Sequence, residues 1–403
     1  MSYLREFRIN WRTLLASTIG HGAGLGLMAY VIGTFAPHLL QEFGWSRSSF
    51  ALLGTATLLT LICLPLIGRA TDLLGVRRVA MVGVLFLPLS FLALSVQDGD
   101  LRVFMTLTVL QVVLGTTTTS TVYSRLVAER FVEARGLGLA VMASGPAIVG
   151  AIGSPLLSDY IDEHGWRAGY RAMAAFTAVF GVTALVMIPK GQRPTLAAVR
   201  ERSAPRDYAI IFRSPAFWAI AGGMFLCNIA APVHGPQLKL MLLDNGAGAA
   251  YAATLVSMYA TGVVIGRFAC GLALDRLPAH AVAAVGMGLP SIGMLLIASP
   301  LGGAWVLGIS VLLMGLSQGA EGDIAGYLVV RHFGVKIYSS VLGLVIAALG
   351  ASSALGAVML SLMLKPSDSY VGFLMLSAST VLVGSLLFLL LGTARGGRVE
   401  TIE

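Results

Sequence analysis

Twelve apolar stretches dominate this chain of 403 residues, at roughly 13–37, 48–68, 79–97, 102–124, 137–158, 170–189, 215–236, 249–274, 279–299, 302–327, 338–363 and 370–392. A helix needs about 20 predominantly apolar residues to cross the hydrocarbon core of a bilayer, and each stretch is near that length. Composition supports the same reading. With 57% hydrophobic residues, 11% charged ones and a mean hydropathy of +0.85, a water-soluble chain of this size would not stay dispersed. The expected fold is an all-α integral membrane protein with twelve transmembrane helices. Several stretches are rich in Gly, Ala and Ser, which let membrane helices approach closely. The first follows a short basic leader, MSYLREFRINWR, and is too long for the core of a cleavable signal peptide.

The basic residues orient the chain. With the N-terminus in the cytoplasm, 20 Lys and Arg fall in inside segments, 6 fall outside, and Arg267 alone lies within a span, which accounts for all 27. This is the positive-inside pattern. The reading is a multi-pass protein of the cell (inner) membrane with both termini cytoplasmic. The net charge of +8 then reflects topology and anionic lipid. No loop is a long basic tract with interleaved aromatics, so nucleic acid is not an expected partner. Cys63, Cys227 and Cys270 all sit in apolar segments, an odd number so placed that they read as small buried hydrophobes and not as a disulfide framework.

An internal repeat divides the chain. Gly68-x-x-x-Asp72 ends helix 2 and Gly271-x-x-x-Asp275 ends helix 8, at an offset of 203 residues. Glu129-Arg130-Phe131 after helix 4 and Arg331-His332-Phe333 after helix 10 are offset by 202. Two landmarks in register imply a duplicated six-helix unit, with bundles over 1–189 and 215–403 and a polar cytoplasmic linker over 190–214. Carriers built from such repeats hold their substrate between the halves.

The segment Gly68-Arg69-Ala70-Thr71-Asp72-Leu73-Leu74-Gly75-Val76-Arg77-Arg78 resembles the loop 2–3 signature of the major facilitator superfamily, and the degenerate copy after helix 8 falls where that family's second copy belongs. Other segments resemble the monocarboxylate porter branch and its bacterial relatives, among them the oxalate–formate exchangers. These are Gln41-Glu42-Phe43-Gly44-Trp45-Ser46-Arg47 after helix 1, Arg135-Gly136-Leu137-Gly138-Leu139-Ala140 opening helix 5, and Gly165-Trp166-Arg167 before helix 6. A fourth is Gly266-Arg267-Phe268 with Gly271 and Asp275, where the family's substrate-binding Arg stands. The helix 1 Lys and the helix 8 Asp of animal monocarboxylate transporters have no counterpart here, nor does the helix 11 Lys of oxalate–formate exchangers. The resemblance implies two pseudo-symmetric bundles working by alternating access, with Asp72, Arg77, Arg78 and Asp275 as conformational latches.

Arg267 is the only charged residue of Leu255–Leu274. A guanidinium at bilayer depth costs roughly 2.5–3.5 kcal/mol on insertion scales, and it cannot escape by deprotonating. The offset of 203 places it on Leu64, so the duplicated scaffold does not require it. Its planar fork suits a carboxylate. Helix 10 supplies the acidic residues well inside the second half, Glu321 and Asp323, at a depth similar to Arg267. Two positions apart, they point to different sides of the helix. One reading makes Glu321 or Asp323 the carrier of a co-transported proton; the other makes them a permanent ion pair or a polar cluster.

Further candidates are His234, next to Pro232 and Pro236 in helix 7, and His21 among the glycines of helix 1. Tyr30, Tyr123 and Tyr327 are candidate hydrogen-bonding groups. No phosphate-binding loop, nucleophile set or metal-ligand spacing is present, so neither catalysis, cofactor nor metal is expected. The function expected is secondary active transport of a small organic monocarboxylate, by symport with protons and as a monomer. An organic-anion exchanger or efflux antiporter is the alternative, and a carrier-like sensor the reading from another class.

Overall fold

The computed structural model describes residues 3–45, 52–189, 204–234, 237–301, 303–367 and 369–393. Among them every regular element is helical, and ten helices are long and apolar enough to cross a bilayer, or up to twelve if each of two bent pairs counts as one span. In chain order, α1 is the pair Tyr3–Gly22 and Leu25–Phe43, bent by 50°. Next come α2 (Thr55–Leu74), α3 (Val76–Ser95), α4 (Leu101–Arg130), α5 (Arg135–His164) and α6 (Trp166–Met187). α7 (Pro215–Asn228) follows Arg206–Arg213 after a bend of 69°. α8 (Ala250–Arg276), α9 (Ala279–Ala298), α10 (Ala304–Phe333), α11 (Tyr338–Lys365) and α12 (Val371–Gly392) complete the order.

The chain folds into two compact units. The first comprises residues 1–133, 141–202 and 335–343, the second 134–140, 203–334 and 344–403. These are not quite the halves expected from the repeat, because two short helix starts, 134–140 and 335–343, group with the other half's residues. Most of the expected linker, 190–203, lies outside the described residues; its end is helical over Ala204–Arg213.

Apolar side chains face outward as well as inward, as bilayer solvation requires. Leu66, Leu85 and Val285 are exposed, whereas Ser17, Thr71, Thr117 and Ser310 are buried. Buried hydroxyls mostly fold back on their own helix, as where Thr116 donates to the Val112 carbonyl at 2.6 Å and Thr118 to that of Gly115 at 2.7 Å. Helix breaks need more, since backbone groups freed in hydrocarbon must find new partners. In the first unit α1 breaks at Ala23–Gly24 opposite a 3₁₀ turn of α4, Thr116–Thr118. There the amide of Leu25 donates to the Thr118 hydroxyl at 3.0 Å, and a Cβ on Gly24 would collide with the Thr118 carbonyl.

Helix 7, a span over 215–236 in which two close prolines suggest a kinked segment, is interrupted. It ends at Asn228, resumes as the single turn Ala231–His234, and continues as Leu238–Asp244; Pro236 lies outside the described residues. Pro232 explains the break, having no N–H to extend the helix and favouring a first turn. α11 holds the interruption: Asn228 Nδ2 donates to the Leu349 carbonyl at 2.7 Å, the Ser352 hydroxyl bonds the Phe225 carbonyl, and a Cβ on Gly356 would collide with the Ile229 carbonyl.

Candidate functional site

The second unit carries the candidate charges Arg267, Glu321 and Asp323. α8 and α10 cross on glycine: Gly262 and Gly266 of one helix meet Gly315 and Gly319 of the other, each pair spaced by four. A Cβ on Gly266 would collide with the Leu316 backbone, and one on Gly319 would fall 2.8 Å from the Arg267 amide nitrogen. This is the small-residue packing by which membrane helices gain dispersion contact. It sets Arg267 against α10. Arg267 Nε lies 3.4 Å from the Gly319 carbonyl and 3.9 Å from Asp323 Oδ2, one turn further on. Asp323 is 2% exposed, and the Arg267 side chain keeps 21% of its surface open. At 3.9 Å the pair attracts as ions without forming a good hydrogen bond, and Asp323 Oδ2 has no hydrogen-bond partner among the described residues.

Glu321 faces elsewhere. Its Oε2 accepts from Gln318 Nε2 at 2.8 Å, and with Gln318 and Ser317 of α10 it lines a small cavity against Cys227, Asn228 and His234 of the helix 7 segment and Met287 and Pro290 of α9. The cavity measures about 10 Å³. His234, 7% exposed, sits against Gln318, and its Nε2 makes no hydrogen bond among the described residues. The two acidic residues of α10 therefore belong to different surroundings, Asp323 to a cation and Glu321 to neutral polar groups.

Tyr327, further along α10, has neighbours other than Arg267. It hydrogen-bonds Arg331 and lies close to Asp275 and Arg135. Asp275 caps the start of α5, accepting from the amides of Gly136 at 2.6 Å and Leu137 at 3.1 Å. A Cβ on either Gly136 or Gly271 would collide with the backbone of the other.

The first unit repeats this cap. Asp72 accepts from the amides of Ser339 at 3.0 Å and Ser340 at 2.7 Å at the start of α11, and a Cβ on Gly68 would collide with the Ser339 carbonyl. The offset of 203 carries Asp72, Ser339 and Ser340 onto Asp275, Gly136 and Leu137, with donor and acceptor halves exchanged. The cation beside Asp72 is Arg125, which also donates to Glu129 at 2.6 Å. Arg77 and Arg78, the other latch candidates of this loop, have different surroundings. Arg77 donates to the Ile188 carbonyl at 3.2 Å, at the end of α6, and Arg78 is exposed. The turn at Gly75, with φ of +83°, sends the chain into α3 and carries both arginines away from Asp72.

The remaining candidates, Tyr123, His21 and Tyr30, lie in the first unit. Tyr123 is fully buried with its ring against Gly20. His21 reaches the Met142 carbonyl with Nδ1 at 3.4 Å. Tyr30 is 48% exposed and packs over Gly150. Gln318 shares a helix face with Glu321 by its spacing of three, as the sequence indicates, whereas the sequence carries no signal that Arg125 meets Asp72.

The segments that carry the likeness to monocarboxylate porters meet in pairs. Glu42 accepts from Trp166 Nε1 and from Arg167, both at 2.5 Å, and Gly136 meets Asp275. No group of three or more His, Cys, Asp or Glu that could hold a metal occurs among the described residues.

Residues 21–236 match the family described as Major Facilitator Superfamily. Among solved structures, the chain is similar to the E. coli fucose:proton symporter, at TM-score 0.71 and 16% identity, covering 97% of this chain and 99% of that one. It is similar to the proton:xylose symporter solved with 6-bromo-6-deoxy-D-glucose, at TM-score 0.71 and 13% identity, with 95% of each chain covered. A bacterial homologue of the iron transporter ferroportin, in an outward-facing state, gives TM-score 0.73 and 15% identity, covering 96% and 99%. At these identities the likeness is one of fold.

Proposed function

We propose that this chain, which belongs to the Major Facilitator Superfamily and is a membrane transporter of that fold, carries a small organic monocarboxylate together with a proton. The observation that carries the reading is the loose pairing of Arg267 with Asp323, at 3.9 Å. A buried cation needs an anionic partner. Asp323 supplies one without engaging Oδ2 in a hydrogen bond, so a ligand carboxylate able to grip the guanidinium fork would displace it at modest cost. The single positive charge favours an anion carrying one carboxylate.

Either carboxyl of α10, Asp323 when the ligand takes its cation or Glu321 with no cation beside it, gives a means of coupling to protons, because such an acid is carried more cheaply in the neutral form. Two of the similar folds are named as proton symporters, which agrees with that coupling. The distribution of Lys and Arg favours a cell (inner) membrane location with cytoplasmic termini. The repeat favours bundles over 1–189 and 215–403, moving by alternating access in a monomer.

Counterflow in proteoliposomes against a panel of aliphatic and aromatic monocarboxylates tests the reading. Exchange of at least one acid, its accumulation under an inward proton gradient, and loss of both in Arg267→Gln are the expected results. Counterflow without gradient-driven accumulation would make the protein an exchanger. No counterflow with any acid would remove monocarboxylate transport altogether.

A further inference from the structure

We propose that Glu321, with His234 facing it across the small cavity between the helix 7 segment, α9 and α10, forms the proton-binding site, separate from the Arg267–Asp323 pair that receives the anion. The inference rests on the transport reading above and assigns to one group what that reading leaves to two. Three observations support it.

The first is charge. Asp323 faces a guanidinium, whereas the groups facing Glu321 are Gln318 on its own helix, Cys227 and His234 on the helix 7 segment, and Tyr259 on α8. α9 contributes only Met287 and Pro290. No Lys or Arg pairs with Glu321 among the described residues. Glu321 is half-buried, and a charge with no cation beside it is costlier to hold partly out of water than a neutral hydrogen-bonded group, so binding a proton relieves Glu321, while Asp323 would lose an ion pair.

The second is geometry. His234 is more than nine-tenths buried, and Nε2 is without a hydrogen bond beside this cavity. A volume of about 10 Å³ is close to the minimum that holds one water. In the tautomer that carries its proton on Nδ1, a proton leaving the Glu321 carboxyl through one water would arrive at the Nε2 lone pair, leaving a carboxylate and forming an imidazolium, with no other bond changed.

The third comes from the repeat. Glu321 falls on Thr118 by the offset of 203 and on Thr119 by that of 202, and His234 falls on Val31. In the first unit the Thr118 hydroxyl satisfies the broken backbone of α1. In the second, Glu321 occupies the corresponding place beside the break in helix 7. His234 rides on the single turn after that break, so any change at the break alters its approach to Glu321. The duplicated scaffold manages with neutral residues, and the ionisable pair is an addition of the second half, as Arg267 is.

Infrared difference spectroscopy of the full chain in nanodiscs, titrated with pH in the absence of substrate, tests the assignment. Wild type should show the carbonyl stretch of a protonated carboxylic acid that disappears as pH rises. Glu321→Gln should abolish this band, Asp323→Asn should retain it, and His234→Gln should move its midpoint. Gel filtration and thermal stability establish that each variant is folded, and Glu321→Asp should restore a titrating band if Glu321→Gln is poorly folded. A band that survives Glu321→Gln, vanishes in Asp323→Asn, or is absent in wild type at every pH overturns the proposal. The readout needs no substrate, so its failure is distinct from a failure of counterflow.

Discussion

Ser340 donates twice to Asp72, through its amide at 2.7 Å and its hydroxyl at 2.6 Å, although 268 positions separate them. The carboxylate thereby sits on the first turn of α11, where unpaired amides and the helix dipole favour negative charge. Asp275 does the same for α5 through Gly136 and Leu137. The two caps differ in compensation. Asp72 is fully enclosed with Arg125, whereas Asp275 is half-buried near Tyr327, Arg331 and Arg135.

That difference predicts unequal costs. Asp72→Ala leaves Arg125 mostly buried with only Glu129 to face among the described residues, and losing one partner of a buried pair costs about 3–5 kcal/mol. Arg125→Met in the same background should recover much of the loss, because the stranded charge goes with it. A double-mutant cycle on apparent melting temperature checks this, and additive losses would contradict it.

Asp275→Ala should cost less. The site is half-buried, so water can reach the groups left behind when the cap is removed, and a loss of about 0.3–1 kcal/mol from the helix-terminus interaction is expected. The same melting assay decides it: a loss equal to that of Asp72→Ala would mean that burial does not set the scale.

The α8–α10 crossing gives a steric prediction. Gly266→Ala places a methyl group on the Leu316 backbone, which cannot swing aside as a side chain would, and overpacking of this kind costs about 1–3 kcal/mol. Gly322→Ala, one turn from the crossing, meets nothing within 4 Å and should be neutral or stabilising by about 0.5–1 kcal/mol through helix propensity. Fluorescence-detected gel filtration after heating separates the two, Gly266→Ala falling first.

Much of this organisation was legible because apolar length and a repeat offset are properties of the sequence itself. The offset that joins Asp72 to Asp275 also identified Arg267 as unmatched by Leu64. The partners of those aspartates were not legible. Ser339 and Ser340 carry no capping signature that names a residue in another segment, and Arg125 read as a cytoplasmic loop residue because α4 runs on to Arg130. The spacing of Glu321 and Asp323 showed that they diverge. Which of them meets Arg267 depended on the glycine crossing, and that needs both helices at once.

Asp323 gives the sharpest separation of structure from function. If it is the resident counter-ion that substrate displaces, Asp323→Asn has two effects of opposite sign. The free protein loses stability, by up to about 3–5 kcal/mol, because the Arg267 charge loses the Asp323 carboxylate. The substrate no longer competes with a resident carboxylate, so affinity should rise, on the order of tenfold or about 1.4 kcal/mol. Arg267→Gln should lower affinity while sparing stability more, since it leaves an acid that can take a proton in place of a cation that cannot lose one. Thermal-shift titration of both variants with an acid found active in counterflow measures the two quantities together. A fall in affinity in Asp323→Asn would show that the carboxylate helps to hold the ligand, and the exchange of partners at Arg267 would then be wrong.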